Sequence, residues 1–178
     1  MMSEEDQIDI IKKHIKSYKD FPSKGVVFRD IFSTLQNPQV AEVLYNTLIK
    51  KARAITPSVE CIVGLDSRGF LFGTVIAREL EIPFVPIRKK GKLPGLTKSI
   101  HYKLEYREDD VEIQEGAINE GARVLIVDDL LATGGTLSAA CQLLSEFKAV
   151  VECLVVIELS ELKGRDVINV PVHALVVY

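Results

Sequence analysis

RVLIVDDLLATGGTLSAACQLL, residues 123–144, decides the fold. Its VLIV run is continuously apolar, the pattern of a strand covered on both faces. Two adjacent carboxylates, Asp128 and Asp129, follow; then comes a loop of small residues, and apolar positions at helical spacing resume after Gly135. Strand, turn and helix in that order make one unit of a parallel α/β sheet. Within the turn, Ala132, Thr133, Gly134, Gly135 and Thr136 let backbone N–H groups and hydroxyls converge on one phosphate, and the helix that follows adds its positive N-terminal end. The segment is not a P-loop, since no G-x-x-x-x-G-K precedes a Ser or Thr, and not a dinucleotide fingerprint, since no G-x-G occurs in the chain. A single phosphate cup beside paired carboxylates suits a phosphorylated sugar, whose ribose hydroxyls would donate to Asp128 and Asp129 next to a bound metal.

Outward from this unit the alternation continues. CIVGL (61–65) predicts a strand and residues 69–80 a helix; IPFVPI (82–87) predicts another strand, and a helix over 135–147 leads to strands near VVECLVVIEL (150–159) and VHALVVY (172–178). The expected fold class is therefore α/β, a mostly parallel central sheet flanked by helices, with the C-terminal strand ends facing the site. Upstream, Ile8, Ile11, Ile15 and Tyr18 recur at helical spacing and predict an amphipathic helix ending before Phe21-Pro22. Asn37 and Pro38 supply the cap and first-turn proline of a second helix, whose apolar face is Val40, Val43, Leu44, Thr47 and Leu48. Residues 88–120 turn polar, with glycine, proline and charge interleaved, which reads as a mobile hood containing short strands. The expected organisation is one domain over 1–178, in which 1–35 form the N-terminal helix and a hood segment and 88–120 a flexible loop.

Composition narrows the function. With 178 residues, 47% of them apolar, the chain has the length and content of one well-packed domain. A formal net charge of -3 argues against a general nucleic-acid binder. Cys61, Cys141 and Cys153 are odd in number and lack zinc-site spacing, which favours a reducing compartment over a disulfide scaffold or metal cluster. The opening MMSEEDQID has no secretory pattern, and no apolar run approaches the ~18 residues of a membrane span, so a cytoplasmic location and no membrane partner are expected. His14, His101 and His173 are scattered, and each reads as a surface or packing residue.

The run VDDLLATGGT (127–136) closely resembles the phosphoribosyl-pyrophosphate motif of type I phosphoribosyltransferases, and its LLATGGT wording is similar to the adenine branch of that family. The similarity covers nearly the whole chain: FPSKGVVFRDI (21–31), GLDSRGFLFG (64–73), RKKGKLPG (88–95), LEY (104–106) and IELSELKGR (157–165) occur in the family's order. The resemblance implies the type I fold with a small hood and a flexible loop, and transfer of a phosphoribosyl group to adenine with Mg²⁺ held mainly by the substrate near Asp128 and Asp129. It gives Asp66, Ser67, Arg68 and Gly69 to the pyrophosphate. Arg68 has the planar fork for a diphosphate, and Gly69 opens a helix whose N-terminus favours negative charge.

By the same resemblance Arg88 and Lys92 reach the pyrophosphate, the lysine from the neighbouring subunit of a homodimer; read alone, the basic run 88–92 is a solvated patch. Val27 and Arg29 match the family's base segment, Leu130 and Leu159 its apolar contacts with adenine, and Glu105 its catalytic glutamate. A backbone segment suits adenine because it offers a donor and an acceptor at fixed spacing. Two positions depart from the pattern: Arg107 stands where the family usually has glycine, and Lys24 where it often has proline, both in segments whose loop geometry matters. The phosphate elements are shared by transferases of other bases and by regulators that bind without turnover, so base choice rests on Val27, Arg29 and Leu159.

Overall fold

The computed structural model describes residues 2–104 and 107–178 of the chain. Helix α1 (Glu4–His14) begins at a capping box in which the Asp6 N–H donates to Ser3 Oγ at 3.1 Å and the Ser3 N–H to Asp6 Oδ2 at 3.2 Å. The helix stops at Ile15, and Tyr18 lies instead on β1 (Lys16–Lys19), paired with β2 (Val27–Asp30) in an antiparallel ribbon. Periodicity carries the helix expectation too far because Ile15, at the next helical apolar position, is buried although it stands beyond the helix as its extended C-cap. A single turn, α2 (Phe32–Leu35), leads into α3 (Pro38–Ala54), whose Asn37 Oδ1 accepts from the backbone of Gln39 and Val40 as its sequence predicts.

The remaining elements are β3 (Cys61–Leu65), α4 (Arg68–Leu80), β4 (Phe84–Lys89), β5 (Thr97–Leu104), β6 (Arg107–Gln114), β7 (Arg123–Leu131), α5 (Gly135–Ser145), β8 (Val150–Glu158) and β9 (Val172–Val177), with two 3₁₀ turns between β8 and β9. The main sheet runs β5-β6-β4-β3-β7-β8-β9. From β4 to β9 its strands are parallel. The β5–β6 hairpin joins antiparallel at the β4 edge, so residues 97–104 and 107–114 form strands longer than the short ones expected of the hood.

Apolar runs on the central strands serve both faces at once. Val63 and Ile126 pack with Leu137, Ala140 and Leu144 of α5 on one side, whereas their neighbours Ile62 and Leu125 pack with Ile11, Leu44, Leu48, Phe72 and Ile76 of the other helices. This is the doubly covered parallel sheet that the sequence predicts. From β3 the chain crosses to β4 on one side, and β7 lies on the other, so connections diverge between the C-terminal ends of β3 and β7 and open a crevice there. No helix among the described residues is long and apolar enough to cross a membrane.

Candidate active site

The crevice between β3 and β7 holds a cavity of about 240 Å³ lined by Asp66, Ser67, Arg68 and the continuous run 128–137. Two helices start at its wall. Neither is capped by a side chain: α4 starts after Ser67 and α5 after Gly134, both without the side-chain hydrogen bond that closes α1 and α3. Helices α1 and α3 thus have first-turn donors closed by a side-chain cap. The two at the crevice leave theirs open toward it, an arrangement suited to an anion.

Glycine permits both close approaches. Gly134 has φ +83°, and a Cβ there would strike the Gly164 carbonyl and the Val167 side chain. A Cβ at Gly69 would strike the Val127 carbonyl, so only glycine lets the first turn of α4 lie against the end of β7. That contact sets Arg68 Nε 2.6 Å from Asp129 Oδ2. Asp129 is 6% exposed and Arg68 more open, so the ion pair has one buried end and one end facing the crevice.

Asp128 sits in a different field. Burial first, and then the negative charge of Asp129, hold its carboxyl well above the usual carboxylate range, while Arg68 pulls the other way. Its Oδ1 accepts the Asp129 N–H at 2.9 Å. Ionised Asp128 is therefore stabilised by whatever hydroxyl donors or positive charge enter the crevice. No group of three or more His, Cys, Asp or Glu is arranged to hold a metal among the described residues. With Asp129 already accepting from Arg68, the donor set fits a hydrated divalent cation ligated chiefly by a substrate's oxygens, as suits magnesium, and does not form an all-protein cage.

Arg88 reaches the turn at 66–69 through Asp66, its Nε donating to Asp66 Oδ2 at 2.8 Å and its Nη1 to the Lys92 carbonyl at 3.2 Å. The Lys92 side chain lies apart from that cavity, lining a cleft with Lys89, Lys90, His101, Asp109 and Asp110. Leu130 lines the same cavity, and the Leu159 N–H donates to the carbonyl of Leu131, a lining residue, at 2.9 Å, so Leu159 adjoins it. Val27 and Arg29 lie on the β1–β2 ribbon; Val27 is exposed, and Arg29 Nη1 donates to Ser17 Oγ at 2.6 Å. Glu105 falls outside the described residues. The structure thus gathers the phosphate run, Asp66, Ser67, Arg68 and Leu130 in one cavity, with Gly69 and Leu159 adjoining it. It does not bring Lys92, Val27 or Arg29 onto that wall.

Sequence reading passed over the support of the cup. Arg165 grips the buried Glu158 with two parallel bonds of 2.7 Å, Nε to Oε1 and Nη2 to Oε2, and so fixes the 160–167 segment whose Gly164 backs onto Gly134. Spacing gives no sign of this, since the pair straddles two irregular turns. The one available signal is the presence of Glu158, Gly164 and Arg165 within the IELSELKGR segment quoted for the resemblance.

Fold and site together define a type I phosphoribosyltransferase. The phosphoribosyl transferase domain family matches residues 34–172. An adenine phosphoribosyltransferase of Drosophila pseudoobscura pseudoobscura is 49% identical over 178 residues, spanning 99% of this chain and 98% of that protein, and the Homo sapiens enzyme of the same name is 46% identical over 175 residues, 97% of each. The crystal structure of adenine phosphoribosyltransferase from Saccharomyces cerevisiae, complexed with an imino-altritol bisphosphate and adenine, matches with a TM-score of 0.88 at 40% identity over 95% of this chain and 98% of that one. The chain belongs to the adenine phosphoribosyltransferases.

Proposed function

We propose that the chain transfers the phosphoribosyl group of 5-phosphoribosyl-1-pyrophosphate to adenine, giving AMP and pyrophosphate, with the residues of the crevice in the following roles. The observation that carries the reading is the one cavity in which the 128–137 run meets Arg68 across Asp129. The backbone and hydroxyls of Ala132, Thr133, Gly134, Gly135 and Thr136 bind the 5-phosphate at the uncapped start of α5. Asp128 and Asp129 accept from the ribose hydroxyls. Asp66, Ser67, Arg68 and Gly69, with Arg88 behind Asp66, bind the pyrophosphate.

In the reaction the bond from ribose C1 to the pyrophosphate oxygen breaks, a purine ring nitrogen bonds to C1 with inversion, and the proton of that nitrogen departs. Positioning and charge neutralisation carry most of the work. Asp128 and Asp129 would hold Mg²⁺ brought in with the substrate, and the ion would supply charge neutralisation for the departing diphosphate. Arg68 does so from the protein side. Glu105 handles the purine proton as general acid or base, and the hood excludes water from the sugar centre. Val27 and Arg29 bind adenine, with Leu130 and Leu159 as its apolar contacts.

The enzyme works as a homodimer in the cytoplasm. Support for the dimer is the Lys92 side chain, which lies in a cleft apart from its own chain's phosphate cavity. The free thiols of Cys61, Cys141 and Cys153 fit a reducing compartment, and burial pushes the Cys61 thiol up to about 11.

AMP and pyrophosphate formation from 5-phosphoribosyl-1-pyrophosphate and magnesium, measured separately with adenine, hypoxanthine, guanine, uracil and orotate, tests the reading. Turnover with adenine alone is expected. Turnover with another base alone would overturn the roles of Val27, Arg29 and Leu159, and silence with all five would overturn the transferase reading.

A further inference from the structure

The two base-binding segments lie near opposite ends of the sequence, and Tyr178 joins them. Its ring centroid is 3.8 Å from the guanidinium carbon of Arg29, and its backbone is stitched to the residues on either side of Leu159. The Tyr178 N–H donates to the Glu158 carbonyl at 2.9 Å, and the Tyr178 carbonyl accepts from the Ser160 N–H at 2.9 Å and from Ser160 Oγ at 2.6 Å. Leu159 itself is bonded to Leu131 at the cup. A continuous path thus runs from the phosphate site through Leu159 and Tyr178 to Arg29.

Arg29 depends on this contact. Of its guanidinium nitrogens, Nη1 donates to Ser17, while Nε is buried with no hydrogen-bond partner among the described residues. A half-buried guanidinium whose buried Nε lacks a partner is poorly fixed by its single hydrogen bond alone. The face of an aromatic ring holds it by the attraction of a cation for the ring quadrupole and by flat-on-flat packing. The phenol hydroxyl adds little, since it reaches the Lys12 carbonyl only at 3.5 Å.

We propose that Tyr178 is a positioning residue for adenine: its ring orients Arg29, and its backbone fixes Arg29 relative to Leu159, so that both sides of the base pocket keep one spacing. This rests on the reading of Arg29 and Leu159 as adenine contacts. The path meets the cup only through the backbone bond from Leu159 to Leu131, and among the described residues the hydrogen bonds of Tyr178 and Arg29 go to Glu158, Ser160, Lys12 and Ser17, none of them assigned to the phosphate or pyrophosphate. The consequence is therefore confined to the base.

Steady-state kinetics of the full-length protein test it, with each substrate varied in turn. In Tyr178→Ala the KM for adenine rises about fivefold, the scale of a lost cation–ring contact. The KM for 5-phosphoribosyl-1-pyrophosphate and kcat stay within about twofold, while Tyr178→Phe restores the adenine KM because the ring, not the hydroxyl, does the positioning. An unchanged adenine KM in Tyr178→Ala, or Tyr178→Phe failing to restore it, would overturn the proposal. So would a rise of both KM values together with a fall of kcat, the mark of a merely structural residue. Should the alanine variant fail to fold, Tyr178→Leu keeps the apolar bulk without the ring face and must show the same selective rise in adenine KM. A wild-type enzyme that uses another base would remove the reading underneath, whereas one that uses adenine with an unaffected Tyr178→Ala removes this inference alone.

Discussion

Arg68 and Asp128 divide the work of the crevice. The Arg68 guanidinium is anchored on Asp129 through Nε, and Arg68 lines the cavity, so in the proposed reaction its outer nitrogens serve the departing diphosphate. In Arg68→Ala, kcat/KM falls about 10²-fold, the scale seen when one preorganised charge-stabilising donor is lost. Arg68→Lys recovers little of it, because an ammonium cannot bind Asp129 and a diphosphate with separate edges of one plane. Asp128→Asn keeps the shape and removes the charge that ribose hydroxyls and the cation require, and it also lowers kcat/KM about 10²-fold. Wild-type kinetics in both variants would contradict this placement of the site. Asp128 is legible as a candidate from its own contiguous strand-turn-helix unit, whereas Arg68, on a similar unit, takes its proposed role in the sequence from the family resemblance. Arg29 and Tyr178 were not equally legible. Val27 and Arg29 carry meaning in the sequence only through a resemblance, and the ring that orients Arg29 comes from the far end of the chain, so no window of sequence contains both partners.

At the level of elements, the basic turn between β4 and β5 is held from below by one buried carboxylate. Glu112 on β6 is 3% exposed, and its Oε1 accepts the N–H groups of Lys92 at 2.9 Å and Leu93 at 2.8 Å while Oε2 accepts the Thr97 hydroxyl at 3.1 Å. Burial alone would raise its pKa. The backbone donors and the Thr97 hydroxyl outweigh that and hold the carboxyl below its ordinary value of 4.5. A depressed carboxylate stabilises the fold above its unfolded pKa, and that contribution is lost as the pH falls through the folded value. Glu112→Ala should then cost about 2 kcal/mol at pH 7, the order of buried donors left without a charged acceptor. The stability gap between wild type and Glu112→Gln, read from denaturant unfolding, should be full at pH 7 and narrow as the pH falls below 4.5. A gap of constant size down to pH 3 would reject that role. Sequence reading expects only short strands in this segment, for a physical reason. REDDVEIQ, on β6 between β5 and β4, carries charge at five of its eight positions, which erases the apolar alternation by which strands are recognised. The central parallel strands carry continuous apolar runs, and those predict their strands directly.

For the whole molecule, sheet order decides where the chemistry can sit. With β3 between β4 and β7, the turn after β3 and the turn after β7 open toward one crevice, which under the proposed function a donor with phosphate at one end and diphosphate at the other would span. Lys92 does not line the crevice of its own chain. A two-fold dimer lends each site a side chain from its neighbour whenever the contact is isologous, so the two sites share residues reciprocally. Arg68→Ala and Lys92→Ala would then lie in different chains with respect to a given site. Each variant alone is impaired, but in a mixed dimer one site carries both lesions and the other neither. Random reassembly makes half of the dimers mixed, and half of the sites in those are intact, so mixing the two purified variants under conditions of subunit exchange should restore about a quarter of wild-type activity. If the mixture gives only the mean of the two variants, although exchange is demonstrated by mass, Lys92 serves its own chain and the shared-site dimer is wrong. Recovery near a quarter would instead place Lys92 across the interface, and it would explain why the basic cleft beside the hood stands clear of the cup within one chain.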